Sequence, residues 1–359
     1  MKYIADNFVH SVVTDPPYEI RMMNMEWDTT GIAFNIDFWK ECKRVLRPGG
    51  YLLAFSSTKN YHRMAYAIED AGFEIRDKID NFYDGNKDID LFWDSLSIEQ
   101  RNAFVKIFDQ QDVTGFLSWV QGQGLPKSKA GLKPANEPIC VARKPLSEKT
   151  LKKNILKWGT GTFNIEVCRI GDVKVTTNGK RKQKRNTYFF DKSPENFKGK
   201  THTGRYPANV IFDEITGLLL DKQSGFLKSG TDCVATKDGY FIEHKWGRAG
   251  DVQITYGDSG GASRFFYCAK ACPKEKGSYN NHPTVKPLKL IKYLVRLVTP
   301  VNGISLDLFA GSGTHALACI EQGINYIGFE KERKYYDICL KRIMDSHFSK
   351  TKGESNALR

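Results

Sequence analysis

Residues 304–330 read "ISLDLFAGSGTHALACIEQGINYIGFE". An apolar run carrying Asp307 leads into Gly-Ser-Gly, then a helix-spaced stretch, then a second apolar run closed by Glu330. Strand, glycine turn, helix and strand make the βαβ unit of a parallel sheet. Gly311 and Gly313 let the backbone turn tightly and approach a ligand closely. The helix that follows directs free N–H groups towards it. Glu330 lies 23 residues after Asp307, the offset at which an acid ending the second strand hydrogen-bonds ribose hydroxyls. The loop is not GxGxxG, which favours an adenosine-containing ligand without phosphates over a dinucleotide.

Outward from this unit, "PLKLIKYLVRLVTP" (287–300) is a helix with Leu290, Leu294 and Leu297 on one side. A last amphipathic helix follows Glu330. At the other end of the chain, "SVVTDPPYEI" (11–20) finishes an apolar strand with an acid, two prolines and a tyrosine. Proline sets φ and lacks a donor, so Pro16 and Pro17 give a rigid bend with free carbonyls. The resulting loop carries an anion, acceptors and one ring, and suits a flat ligand that donates hydrogen bonds. The alternative is a surface turn with a solvated acid. "FNIDFWKECKRVLRPGGYLLAFSS" (34–57) then reads as a helix stopped by Pro48-Gly49-Gly50 and a buried strand, "YLLAF". "YHRMAYAIEDAGFEI" (61–75) repeats the scheme, with Gly72 as terminator and a strand from Phe73.

Strands alternating with helices imply an α/β fold, a mostly parallel twisted sheet with helices on both faces. One sheet built from both ends would place Asp15–Tyr18 and the glycine loop at the carboxyl edges of neighbouring strands, where open α/β sheets bind ligands. Between them the rhythm breaks. Residues 81–125 are mixed, with a helical stretch at "SIEQRNAFVKIFDQ" (97–110), and "EPICVARKP" (137–145) is a further strand. Residues 151–276 read as irregular, with β-like pieces at "NVIF" (209–212) and "RFFYCAK" (264–270).

The chain has 359 residues and a net charge of +13. Residues 149–276 hold 24 Lys and Arg against 13 Asp and Glu, so +11 of the excess sits there. Such a segment is the electrostatic footprint of nucleic-acid binding. Within it, "NGKRKQKRNTYFF" (178–190) offers Lys180, Arg181, Lys182, Lys184 and Arg185 as phosphate contacts. The eight cysteines are scattered without paired metal-ligand spacing, so no metal site is expected. No apolar run reaches the ~20 residues of a membrane helix, and the N-terminus lacks a signal peptide's apolar stretch. A cytoplasmic protein with no membrane partner is the expectation.

Asp-Pro-Pro-Tyr near the start, a basic middle, "HPTVKP" (282–287) and "DLFAGSGT" (307–314) occur here in a fixed order. That order resembles the amino-group DNA methyltransferases of the permuted β class, in particular site-specific adenine-N6 enzymes of phages and prophages. "KRVLRPGGYLLAF", "GLPKS", "LKPANEPICVARKP", "GRYPANVIF" and "RFFYCAKA" extend the resemblance over most of the chain. It implies a Rossmann-like methyltransferase that uses S-adenosyl-L-methionine on double-stranded DNA, and it leaves a homodimer open. The implied division is a catalytic half at 1–148, a target-recognition region at 149–276, a cofactor half at 277–348 and a flexible tail at 349–359. Asp15, Pro16, Pro17 and Tyr18 become the catalytic loop. Asp307, Phe309, Ala310, Gly311, Ser312, Gly313, Thr314 and Glu330 line the cofactor, with Thr284 and Lys286 at its methionine end. His282 and His315 are read as structural. In many relatives a strand ending in Gly-Asp precedes the catalytic loop; this sequence lacks it, and weakened activity is the expectation. Cytosine N4 remains the rival target, and a DNA-binding relative without catalysis is the non-enzymatic alternative.

Overall fold

The run Tyr51–Phe55 sends its side chains alternately into two cores. Tyr51, Leu53 and Phe55 pack in one, Leu52 and Ala54 in the other. A strand covered on both faces has no polar side, and so reads as continuously apolar. It belongs to the central sheet of the computed structural model, which describes residues 1–21, 24–76, 116–122, 135–176, 201–230, 257–269, 279–282 and 284–357, plus strand pieces at 233–234, 239–241, 244–247 and 252–253.

Among the described residues the sheet has nine strands: β1 (Val9–Thr14), β2 (Leu46–Phe55), β3 (Glu74–Ile75), β4 (Phe116–Val120), β5 (Asn136–Arg143), β6 (Val210–Asp213), β7 (Tyr267–Ala269), β8 (Ile304–Asp307) and β9 (Asn325–Gly328). Their order is β7-β6-β4-β5-β2-β1-β8-β9, with β3 also on β5. Only β5 runs against its neighbours. The two ends of the chain meet at the centre, where β1 pairs in parallel with β8 (Ser11 opposite Ser305) and with β2 (Val12 opposite Leu52). A buried hydroxyl chain stitches this seam: Ser11 lies 2.7 Å from Thr299 and 3.0 Å from Ser305.

Helices α1 (Ile36–Val45) and α2 (Tyr61–Asp70) cover one face through Trp39, Met64 and Ile68. Asn35 caps α1 by accepting from Phe38 N at 3.0 Å, as a side-chain oxygen at that position does. After α3 (Leu151–Trp158) and α4 (Glu214–Ser224), α5 (Leu288–Val298) and α6 (Thr314–Glu321) cover the opposite face. There Leu290, Leu294, Ala318 and Cys319 are buried. The final helix, α7, is Arg333–Ala357. No helix among the described residues is long and apolar enough to cross a membrane.

Four local readings change. Helix α1 stops at Val45 rather than at Pro48, and Leu46–Gly50 already belongs to β2. The Lys144 ammonium makes that exit possible by bonding the carbonyls of Lys43 (2.7 Å) and Leu46 (2.8 Å). Second, β4 lies in the stretch where the rhythm breaks; its five residues are too few for a period to stand out. Third, the described part of residues 151–276 is less irregular than the composition suggests. It contains α3 and α4, and "NVIF" and "RFFYCAK" supply β6 and β7 to the central sheet. Gly217 obscures α4 in the sequence, but a Cβ there would meet Cys268 Sγ at 3.0 Å. Finally, the tail expected from residue 349 is helical to Ala357, because extending a formed helix adds a bond per residue without a new nucleus. The helical stretch read at 97–110 and the basic run at 180–185 lie outside the described residues.

Candidate active site

A cavity of about 910 Å³ opens at the carboxyl edge of β1, β2 and β8. It is lined by Asp15, Pro16, Pro17, Tyr18, Thr284, Lys286, Asp307, Phe309, Ala310, Gly311, Ser312, Thr314 and Glu330. Thus the two motifs from opposite ends of the chain share one space. Gly313 is the exception among the residues read as cofactor-binding. It caps α6 at φ +82° with its back to α7, where a Cβ would meet Cys339 Sγ at 2.5 Å. Its small size serves helix packing rather than ligand approach.

The main-chain groups of the glycine turn are held by Glu330, Asp307 and Arg342. Glu330 Oε2 accepts from Gly311 N at 2.7 Å, and its Oε1 accepts from Glu332 N at 2.8 Å. Gly311 sits at φ +52°, close under the His282 ring. Asp307 Oδ1 accepts from Thr14 Oγ1 (2.7 Å) and Phe309 N (3.1 Å), and burial raises this carboxyl's pKa to about 7. From behind, Arg342 of α7 donates to the Ser312 carbonyl at 2.7 Å and to Thr314 Oγ1 at 3.2 Å. Phe38 and Phe309 form an apolar wall, with ring centres 5.6 Å apart. A closely approaching backbone, an apolar wall and an acid together fit an adenosine group. His282 bonds Thr284 and packs on Tyr335, while His315 is buried against Ser305 with its pKa lowered to about 3. Both also line the cavity.

The Asp15–Tyr18 loop is held by side chains. Asn60 Nδ2 donates to the carbonyls of Tyr18 (2.8 Å) and Glu19 (3.1 Å). Asp28 accepts from Glu19 N and Ile20 N, fixing the exit of the turn. Lys286 Nζ donates to Asp15 Oδ2 at 2.7 Å and to the Tyr18 hydroxyl at 3.0 Å. It therefore reaches the Asp15–Tyr18 loop, within the cavity that also holds the glycine turn. Tyr18 in turn donates to Glu137 Oε2 at 2.8 Å. Burial raises the Asp15 pKa, and Lys286 pulls it back. Burial would lower that of Lys286, but Asp15 and Glu137 outweigh it and keep the amine protonated. Asp15 Oδ1 is buried and has no hydrogen-bond partner among the described residues.

The sequence reading missed Glu137, Gln121, Trp119, Trp27 and Asn60. Glu137 had a signal: an acid near the start of a strand whose last six residues are buried. The Trp119 and Trp27 indoles also line the cavity, each with a buried N–H that has no partner among the described residues.

The sequence profile of a family described as DNA methylase, N6_N4_Mtase, matches residues 9–341. The type II methyltransferase M.HindIII of Haemophilus influenzae is 47% identical over 312 residues, covering 86% of this chain and 68% of that protein. The DNA adenine methyltransferase YhdJ of Escherichia coli is 39% identical over 72 residues, 20% of this chain and 24% of that protein. Among solved structures, an M1.HpyAVI complex with S-adenosylmethionine aligns over 93% of this chain and 89% of its own, at TM-score 0.40 and 16% identity.

Proposed function

Since this chain belongs to the DNA methylase family of amino-group methyltransferases, we propose that it methylates the N6 amino group of adenine at a specific sequence in double-stranded DNA. The chain is a DNA methyltransferase, and S-adenosylmethionine is the methyl donor. That cofactor supplies an electrophilic methyl group on a sulfonium. The chain's own residues do the rest. Gly311 and Glu330 fit the adenosine end, with Phe38 and Phe309 against it.

The target amine is a weak nucleophile because its lone pair is delocalised into the ring, and in duplex DNA it is out of reach. The base must therefore be flipped into a pocket. Asp15 Oδ1 and the Pro16 carbonyl accept the two amine hydrogens and draw the lone pair towards the methyl. Tyr18 stacks on the extruded ring, worth about 1–3 kcal/mol. Holding the nitrogen in line supplies much of the rate. Asp15 Oδ1 also takes the proton that the nitrogen sheds, a role that its raised pKa favours.

The observation that carries this reading is the buried Oδ1 of Asp15, without a partner among the described residues, at the end of a cavity shared with the glycine turn. Adenine is favoured by the Asp-headed loop and by the likeness to YhdJ. Residues 149–276, with the run Lys180–Arg185, read the target and contact phosphates. Expression in a host without DNA methylation, then mass spectrometry of hydrolysed DNA, tests the proposal. N6-methyladenine is expected. N4-methylcytosine would overturn the choice of base, and no methylated base would overturn the reaction itself.

A further inference from the structure

Four carboxylate oxygens and one ammonium meet at the Asp15 end of the cavity. Lys286, with a side chain 11% exposed, bonds Asp15 Oδ2 and lies 3.3 Å from Glu137 Oε2. Its charge also sits over the rings of Tyr18 (5.1 Å) and Phe55 (4.9 Å). Gln121 Nε2 donates to Glu137 Oε1 at 2.6 Å, and the Tyr18 hydroxyl holds Oε2. Three of the four oxygens are thus engaged, and Asp15 Oδ1 is left.

We infer that Lys286 and Glu137 are positioning residues for methyl transfer: Lys286 holds Asp15 ionised with Oδ1 free for the target amine, and Glu137 holds Lys286. This rests on the reading that Asp15 accepts from that amine. A carboxyl buried alone takes up a proton, and a protonated Asp15 would offer a donor where two amine hydrogens need acceptors. Lys286 prevents that. With Lys286 alone the pair would be neutral, and its cation would oppose the positive charge growing on the nitrogen. Glu137 brings the cluster to a net charge of −1, so the field at the nitrogen favours transfer. The groups facing Asp15 are Lys286, Tyr18 and Glu137, and its charge also reaches Asp307 at the end of β8.

Single-turnover methylation of duplex DNA from pH 5.5 to 9.5, at saturating cofactor, is the test, with cofactor affinity measured by calorimetry. Lys286→Met should move the acidic limb of the rate profile up by about one pH unit or more, leaving the cofactor Kd within about twofold. Lys286→Arg should restore the limb. Glu137→Gln keeps the shape but removes the charge, and should slow transfer about tenfold or more at unchanged Kd. If Lys286→Met weakens cofactor binding more than tenfold with the limb unmoved, Lys286 serves the cofactor and the inference is overturned. A Glu137→Gln rate equal to wild type removes Glu137 from the device. Wild-type protein that methylates no DNA would instead overturn the proposed function, since the calorimetry still reports an intact cofactor site.

Discussion

The glycine turn comes largely from one continuous run, whereas the Asp15–Tyr18 end is held together by side chains drawn from five separate segments. The first end comes mainly from the run 304–330, with Phe38 and His282 against it and Arg342 tightening it from behind. The second needs β1 for Asp15, the end of β4 for Gln121, β5 for Glu137, the start of α2 for Asn60 and the segment before α5 for Lys286. A site built from one continuous run tolerates drift in distant segments, because the run itself sets its geometry. A side-chain site depends on every contributor, because one missing partner leaves a buried charge uncompensated, which costs more than the lost bond.

The sharpest break between the two ends is Asp15→Ala. Turnover should fall by at least about 10²–10³-fold with the cofactor Kd unchanged, as calorimetry and methyl-transfer rates would show. A parallel loss of cofactor binding would mean that the ends are not separable. Glu330→Ala is the converse. Losing the charged acceptor of Gly311 N should weaken cofactor binding about ten- to a hundredfold while non-specific DNA binding persists in a gel-shift assay.

Next in size are the Tyr18 variants. Tyr18→Ala removes the stacking face and should cost about 1–3 kcal/mol of target binding, read as the KM for DNA. Tyr18→Phe keeps the ring but strips a hydroxyl from Glu137 and Lys286, so a loss of about 1 kcal/mol is expected. A Phe variant as poor as the Ala variant would show that the network outweighs the ring.

Asp307 offers a smaller, pH-dependent probe of the glycine end. Its pKa is raised from 3.8 to about 7 by burial. Its stabilising contribution is therefore full below about pH 4 and lost as the pH rises through 7. Asp307→Asn should raise the melting temperature at pH 8 and leave it nearly unchanged at pH 4. An equal shift at both would remove the buried charge as the cause. Outside the cavity, DNA affinity should fall with salt at a log–log slope of about −0.9 per neutralised phosphate. Neutralising Lys180, Arg181, Lys182, Lys184 and Arg185 should flatten it.

The sequence by itself determined what depends on near neighbours in the chain. The βαβ unit at 304–330, its acid at Glu330, the rigid loop at Asp15–Tyr18 and the doubly covered strand Tyr51–Phe55 follow from periodicity, glycine and proline. Their meeting in one sheet was legible too, because parallel strands present their carboxyl ends to a common edge. Only the tertiary structure decided which charges face each other. Lys286 and Asp15 lie 271 positions apart, and the acid at Glu137 meets Lys286 only in the folded chain. Gly313 shows the reverse: it reads as a ligand glycine from its neighbours, yet α7 packs behind it. Local pattern reports the conformational preferences of a few residues. A buried ion pair is set by the distance and dielectric between distant segments, and no window along the chain contains both.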